Sequence, residues 1–203
     1  MKPVLFHAAG LLAPSLFLAS VFIAGARRPG YSHIADPVSL LGMAGAADGP
    51  LVAVAWAATG VLILSLGVGL WLDRQGPGRG TAVLIMLAGA ASAAIAVGFP
   101  MDPPGEPASW RQRGHEALVA VAGIAFVLAL LTAARSAAVP PWYRRMSWIA
   151  LAAMIAGAAG AALSLAAGRP TIGLFERVTQ GGYHVWLLIT AALGLLRKPA
   201  SAL

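Results

Sequence analysis

At 203 residues, with 59% hydrophobic and only 10% charged side chains, the chain departs from soluble domains, in which about a quarter of residues are charged. Its formal charge of +7 comes without a basic patch interleaved with aromatic residues, which argues against nucleic acid as a partner; basic residues gathered in loops on one side of a membrane account for it. There is no cysteine, which excludes disulfides, thiolate metal sites and cysteine nucleophiles and leaves the redox compartment open.

The class these numbers imply is an all-α polytopic membrane protein, a single transmembrane domain over residues 1–203. The first apolar run covers residues 4–26. Lys2 ahead of it and Ala24-Gly25-Ala26 at its end resemble a signal peptide, but the run exceeds the ~7–15 residues of a signal core and reads as a retained span. A loop over 27–49 follows, in which Asp36-Pro37 looks like an N-cap and first helical residue. The apolar stretch 38–47 then predicts a short interfacial helix carrying Ser39-Leu40-Leu41-Gly42. Further spans are predicted over 51–72, 81–99, 115–134, 147–167 and 183–196, each near the ~20 residues that cross the hydrocarbon, the last being the shortest. The expectation is therefore a six-transmembrane-helix bundle with both termini on one side.

Between the third and fourth spans lies the most polar stretch, 99–116, which carries four prolines and so cannot be one continuous helix. Ser109 with Gln112 three residues on reads as a capping box for the fourth helix, near whose start His115 and Glu116 fall. The loop 168–182 holds Glu176-Arg177 and ends in Gly181-Gly182, which reads as a surface loop or a frayed first turn of the sixth helix.

Charge sets the orientation. The termini and the second and fourth loops carry Lys2, Arg74, Arg79, Arg135, Arg144, Arg145, Arg197 and Lys198, against one acid, Asp73. The other three loops carry six arginines and six acids. The excess of cations predicts cytoplasmic termini in a bacterial inner membrane. Six of the seven acids then face outward, as do His33, His115 and His184, with only His7 toward the inner side.

The middle thirds of the spans contain no Asp, Glu, Lys or Arg, which argues against an ion-coupled pump. Gly89 with Ala93, Gly157 with Ala161 and Gly160 with Ser164 are small-xxx-small pairs, expected to pack helices within the bundle, with a homo-oligomer interface as the alternative. Trp110, Trp142, Trp148 and Trp186 read as interface-belt residues.

The order of four short motifs, Ser39-Leu40-Leu41-Gly42 after the first span, Phe99-Pro100-Met101-Asp102 closing the third, His115 opening the fourth and Glu176-Arg177 before the sixth, resembles the prokaryotic membrane family called domain of unknown function 998. It is more distantly similar to the Frag1/DRAM/Sfk1 group of six-span proteins. The resemblance covers essentially the whole chain and implies an architecture and marked positions, with no activity attached.

The candidate site is the polar set Asp102, His115, Glu176, Arg177, His184 and Ser39. Its first four members are expected to pair beneath the outer surface, because buried charges need partners. No zinc-type motif is present and His115 and Glu116 point to different helix faces, so no metal is assigned. The cofactor is unknown; haem would need facing histidines, and His7 and His184 lie toward opposite ends of the bundle. The reading of function is binding of membrane lipid or another hydrophobic ligand through this outward-facing cluster. The alternatives are a membrane-embedded lipid hydrolase, with or without a metal ion, and an accessory subunit of a membrane complex.

Overall fold

The computed structural model describes residues 4–73 and 76–196; Lys2, Arg74, Arg197 and Lys198 of the charge tally lie outside them. Among the described residues there are six long helices and no strand: α1 (Val4–Arg27), α2 (Gly49–Leu72), α3 (Arg79–Gly98), α4 (Trp110–Arg135), α5 (Pro141–Ala166) and α6 (Ile172–Leu196). Five of them, α1 to α5, are long and apolar enough to cross a membrane. The sixth is 25 residues long, but Glu176, Arg177, Gln180 and His184 make its first half more polar.

Two expectations are corrected. The sixth helix starts at Ile172, so Glu176-Arg177 lie inside its first turns, and the loop before it shrinks to 167–171. Gly181-Gly182 fail to end it because tertiary packing outweighs the ~1 kcal/mol cost of a helical glycine. A Cβ on Gly182 would stand 2.9 Å from the Ala150 carbonyl oxygen of α5, a separation only glycine permits. The helix expected over 38–47 contracts to a 3₁₀ turn, Val38–Gly42, whose N-cap is Pro37 without a side-chain cap bond. Asp36 does not cap it, because its carboxylate turns back to accept from the Ser32 N–H at 2.7 Å.

The helices pack in chain order, and α1 closes the ring against α6. Small residues set the spacing. A Cβ on Gly60 of α2 would lie 2.5 Å from the Ala93 nitrogen, and one on Gly89 of α3 2.5 Å from the Leu64 nitrogen. On α5 a Cβ at Gly157 would lie 2.5 Å from the Thr179 nitrogen, and one at Gly160 would enter the Phe175 ring. These small faces are used inside the bundle, where close backbone approach replaces the hydrophobic effect that lipid does not supply.

Outward faces carry Leu12, Phe22, Val54, Val97, Ile124 and Leu163, all more than half exposed. Helices apolar on every side belong in a membrane, and the protein is a multi-pass integral membrane protein. Among the described residues the interior is mostly apolar, its buried polar side chains being His7, Thr59, Thr81, Ser147, Ser164, His184 and Thr190, and one bonded network joins α5 to α6. Trp186, placed above in an interface belt, is instead fully buried and donates its indole N–H to Ser147 Oγ at 3.0 Å. Beside it the Tyr143 hydroxyl meets Thr190 Oγ1 at 2.8 Å. Trp110, Trp142 and Trp148 are exposed.

The up-and-down order gathers loops 28–48, 99–109 and 167–171 at one end of the bundle and the short connections 73–78 and 136–140 at the other. At the short-loop end His7 Nε2 stands 4.0 Å from Asp73.

Candidate functional site

All the candidate site positions except His184 belong to the loop-rich end, and they form distinct sets of partners. The first set starts α4. Ser109 Oγ accepts from the Arg111 and Gln112 backbone N–H groups, at 3.1 and 3.3 Å, so it is the N-cap expected of it. The other half of the expected capping box is displaced by one partner. Gln112 Oε1 accepts from the Asp102 N–H at 2.9 Å rather than from Ser109, while its amide donates to Glu116 at 2.8 Å. Asp102 fills the gap, one oxygen accepting from the Ser109 N–H at 2.7 Å and the other from the Ser109 hydroxyl at 2.9 Å. Asp102 therefore holds the cap that aims the first turns of α4.

His115 lies in the second turn of α4, beside Gly114, where the Phe99 ring packs so closely that a Cβ would overlap it. That closeness puts the Phe99 carbonyl 2.8 Å from His115 Nδ1. A carbonyl only accepts, so Nδ1 carries the proton, and in the neutral ring Nε2 is left as a lone pair. Among the described residues Nε2 makes no hydrogen bond, and it is not sealed away from solvent.

The second set fastens loop 28–48 to the head of α6. Glu176 accepts from the Val38 N–H at 2.8 Å, and the Leu174 N–H donates to the Ile34 carbonyl at 2.9 Å. Arg177 sends one amino group to the Asp36 and Gly173 carbonyls, at 3.2 and 2.8 Å. Its other amino group reaches the Tyr31 hydroxyl at 2.6 Å and His33 Nδ1 at 3.0 Å. Gly173 has to be glycine here, because a Cβ would collide with the Asp36 carbonyl oxygen. Beneath these bonds Val38 and Leu41 are buried in a small core with Val21, Ala24 and Val52. The loop is thus a strap, sewn to α6 by polar groups and seated on α1 and α2 by apolar ones.

The electrostatics follow from this burial. Glu176 lies ahead of the charge-free stretch 178–196, and burial raises its carboxyl above the usual carboxylate range. The Val38 N–H, Arg177 and His115 act in the opposite direction. Burial likewise raises the Tyr31 hydroxyl against the pull of Arg177, and burial together with the Arg177 charge lowers His33.

Asp102, His115, Glu176 and Arg177 thus do not form the single paired cluster expected of them. Among the described residues no hydrogen bond or ion pair joins Asp102, His115 and Glu176 to one another, because each spends its bonds on nearby backbone. His115 is nonetheless near enough for a charge on its ring to act on Glu176. His184 lies deeper, 2% exposed, with Nδ1 3.0 Å from the Gln180 carbonyl and its ring stacked on Phe17 at 4.6 Å. No group of three or more His, Asp or Glu side chains among the described residues is placed to hold a metal ion.

What the strap and α4 do bring together is a crevice. Ser39 and Gly42 from the strap, Trp56 from α2, Ile95 from α3, and Phe99 and His115 are among its walls. Ser39 Oγ points at Met101 Sδ, 3.1 Å away, and the Met101 carbonyl accepts from the Ala44 N–H at 2.9 Å, which pins the strap over this opening. Tyr31, His33 and Trp56 were not among the sequence candidates. Their partners lie far along the chain, Arg177 being 146 residues from Tyr31, and no local pattern announces such a pair.

The family model described as a protein of unknown function, DUF998, matches residues 11–193 of the chain. No curated protein and no solved structure matches it.

Proposed function

We propose, from the premise that this chain belongs to the DUF998 family of proteins of unknown function, that it is a six-span membrane protein that binds lipid through the crevice beneath its strap. The observation that carries this reading is the crevice's composition. Its sides are Trp56, Ile95 and Phe99, and its polar groups are the Ser39 hydroxyl and the His115 imidazole. An apolar opening beside a few fixed polar groups suits a lipid at the point where its chains meet its headgroup. In this reading Ser39 and His115 face the ligand, and Asp102, Glu176 and Arg177 position them.

Support for α6 as the sixth span comes from residues 178–196. They carry no Asp, Glu, Lys or Arg and extend about 28 Å as a helix, close to the ~30 Å hydrocarbon thickness. The loop-rich end faces outward from a bacterial inner membrane, because the termini and the other loops carry eight of the fourteen basic residues.

Two measurements test these points. Single cysteines at Ala108 and Ala137, exposed loop positions at opposite ends of the bundle, are expected to label from opposite sides of the membrane. Labelling from one side would end the six-span reading. Lipid retained through purification in detergent is expected to fall when Ser39→Trp fills the crevice, and undiminished lipid would end the ligand reading.

A further inference from the structure

We infer that the crevice between Ser39 and His115 receives the free hydroxyl of an uncharged lipid rather than a phosphate. The inference rests on the lipid reading above and narrows it to a chemical class.

Size is the first ground. The crevice is partly open and the space within it is about 10 Å³, roughly one water site. One oxygen with its proton fills that space, and a phosphate with its four oxygens would have to stay at the open mouth. Charge is the second. No Lys, Arg, Asp or Glu side chain lines the crevice, so an anion would enter without a counter-charge, an unfavourable burial. The nearby cations are engaged elsewhere. Arg177 is bonded to Asp36, Gly173, Tyr31 and His33. Arg28 reaches the Leu40 carbonyl and Met43, and Arg27 is paired with Asp48 at 3.1 Å. Arg111 and Arg113 are exposed on α4, Arg111 against the Trp110 ring.

The third ground is the matching of donors and acceptors. The Phe99 carbonyl fixes the His115 proton on Nδ1, so the neutral ring has only an acceptor to offer at Nε2. A lipid O–H supplies the donor that this acceptor lacks, and a fully ionised phosphate has none. The same lipid oxygen can accept from Ser39. That hydroxyl is directed at the Met101 sulfur, a weak acceptor that it can leave at little cost. Trp56, Ile95 and Phe99 then meet the carbons next to the hydroxyl.

The test uses the full-length protein in detergent, with diacylglycerol, its methyl ether, phosphatidic acid of the same chains, and free glycerol as probes, and binding read by native mass spectrometry. Diacylglycerol is expected to bind, and to bind about two- to tenfold more weakly to Ser39→Ala, the factor for one neutral hydrogen bond. The methyl ether is expected to bind wild type more weakly than diacylglycerol does, a control that requires no variant to fold. His115→Gln is expected to reduce the preference for diacylglycerol over the ether. Phosphatidic acid binding wild type as tightly as diacylglycerol, with the same sensitivity to Ser39→Ala, would overturn the hydroxyl assignment and leave the lipid reading standing. Glycerol binding as tightly as diacylglycerol would overturn the lipid as its source. If none of the lipids binds wild type, the lipid reading itself fails.

Discussion

The two ends of the bundle are held by different forces. At the loop-rich end, residues 28–48 are fastened to α6 by Glu176, Arg177 and the Leu174 N–H, all bonds between polar groups far apart in sequence. Toward the short-loop end, the α5–α6 seam relies on buried aromatic packing, with Trp186 and Tyr143 each joined to a hydroxyl on the facing helix. Geometry explains the division. A strap that is not helical has backbone groups of its own to satisfy, so it draws in Arg and Glu. Helices satisfy their own backbone and need only small residues and shape. The polar end can therefore open locally while the helices stay packed.

The largest effect expected on the stability of the whole bundle is on the α5–α6 contact. Gly157→Leu, forced against the Thr179 and Phe175 backbone of α6, is expected to destabilise the whole bundle by about 1–3 kcal/mol through overpacking. Thermal unfolding in detergent reads this, and an unchanged Tm would mean that α5 and α6 do not meet through this face. Arg177→Met comes next. It removes charged hydrogen bonds worth about 1.5–3 kcal/mol each, and the loss is expected to be confined to the strap. Hydrogen exchange should rise at the Val38 and Leu174 N–H groups, with the seam amides of α5 and α6 unchanged. Exchange rising equally in both places would collapse the distinction between the ends. Ser147→Ala, which removes the acceptor of the Trp186 indole N–H, is smaller, at about 0.6 kcal/mol and at most ~1.7 on the scale of hydrogen bonds inside membrane helices. It too is read by Tm, and a larger loss would show that the seam depends on polar bonds as much as the strap does.

The smallest effect is one of pH. His33 Nδ1 accepts from Arg177, which only the neutral ring can do. Tyr31, Asp36 and Glu176 belong to the same fastening, and Phe22 of α1 lies against the ring at 5.3 Å. Burial and the Arg177 charge put the folded pKa below the ordinary 6.5, so the opened strap binds more protons than the closed one once the pH falls below that value. Closure is then constant above 6.5 and weakens below it. Glu176, shifted upward, works in the opposite sense, so the prediction concerns the difference between wild type and His33→Gln, whose amide oxygen can still accept from Arg177. Strap exchange in wild type should rise more steeply on acidification than in the variant, and parallel pH profiles would remove His33 from the fastening.

How legible all this was depends on the range of the forces. Hydropathy over ~20 residues marked α1 to α5, because lipid imposes its demand on each spanning helix separately. The start of α6 was missed for a related reason. Glu176, Arg177 and two adjacent glycines look like a loop until α5 and the strap supply their partners. Ser109 was readable as a cap because its partners are two and three residues away. Asp102 was marked by its motif, but its closing of the cap depends on a chain reversal through Pro103 and Pro104 that spacing does not reveal. The single cluster expected of Asp102, His115 and Glu176 assumed that equal depth means contact, whereas nearby backbone reached each of them first.

The strap has one consequence for how the molecule is made. Its seats are on α1 and α2, which leave the ribosome early, but its fasteners are on α6, the last of the six helices to be synthesised. Throughout insertion the Ile34 and Asp36 carbonyls and the Val38 N–H wait for the partners that α6 brings, and only its arrival locks the strap. Completion of the last helix is thus recorded at the opposite end of the sequence, on a loop that a protease can sample. Chains stopped after α5 should be cut within 28–48 while finished ones resist.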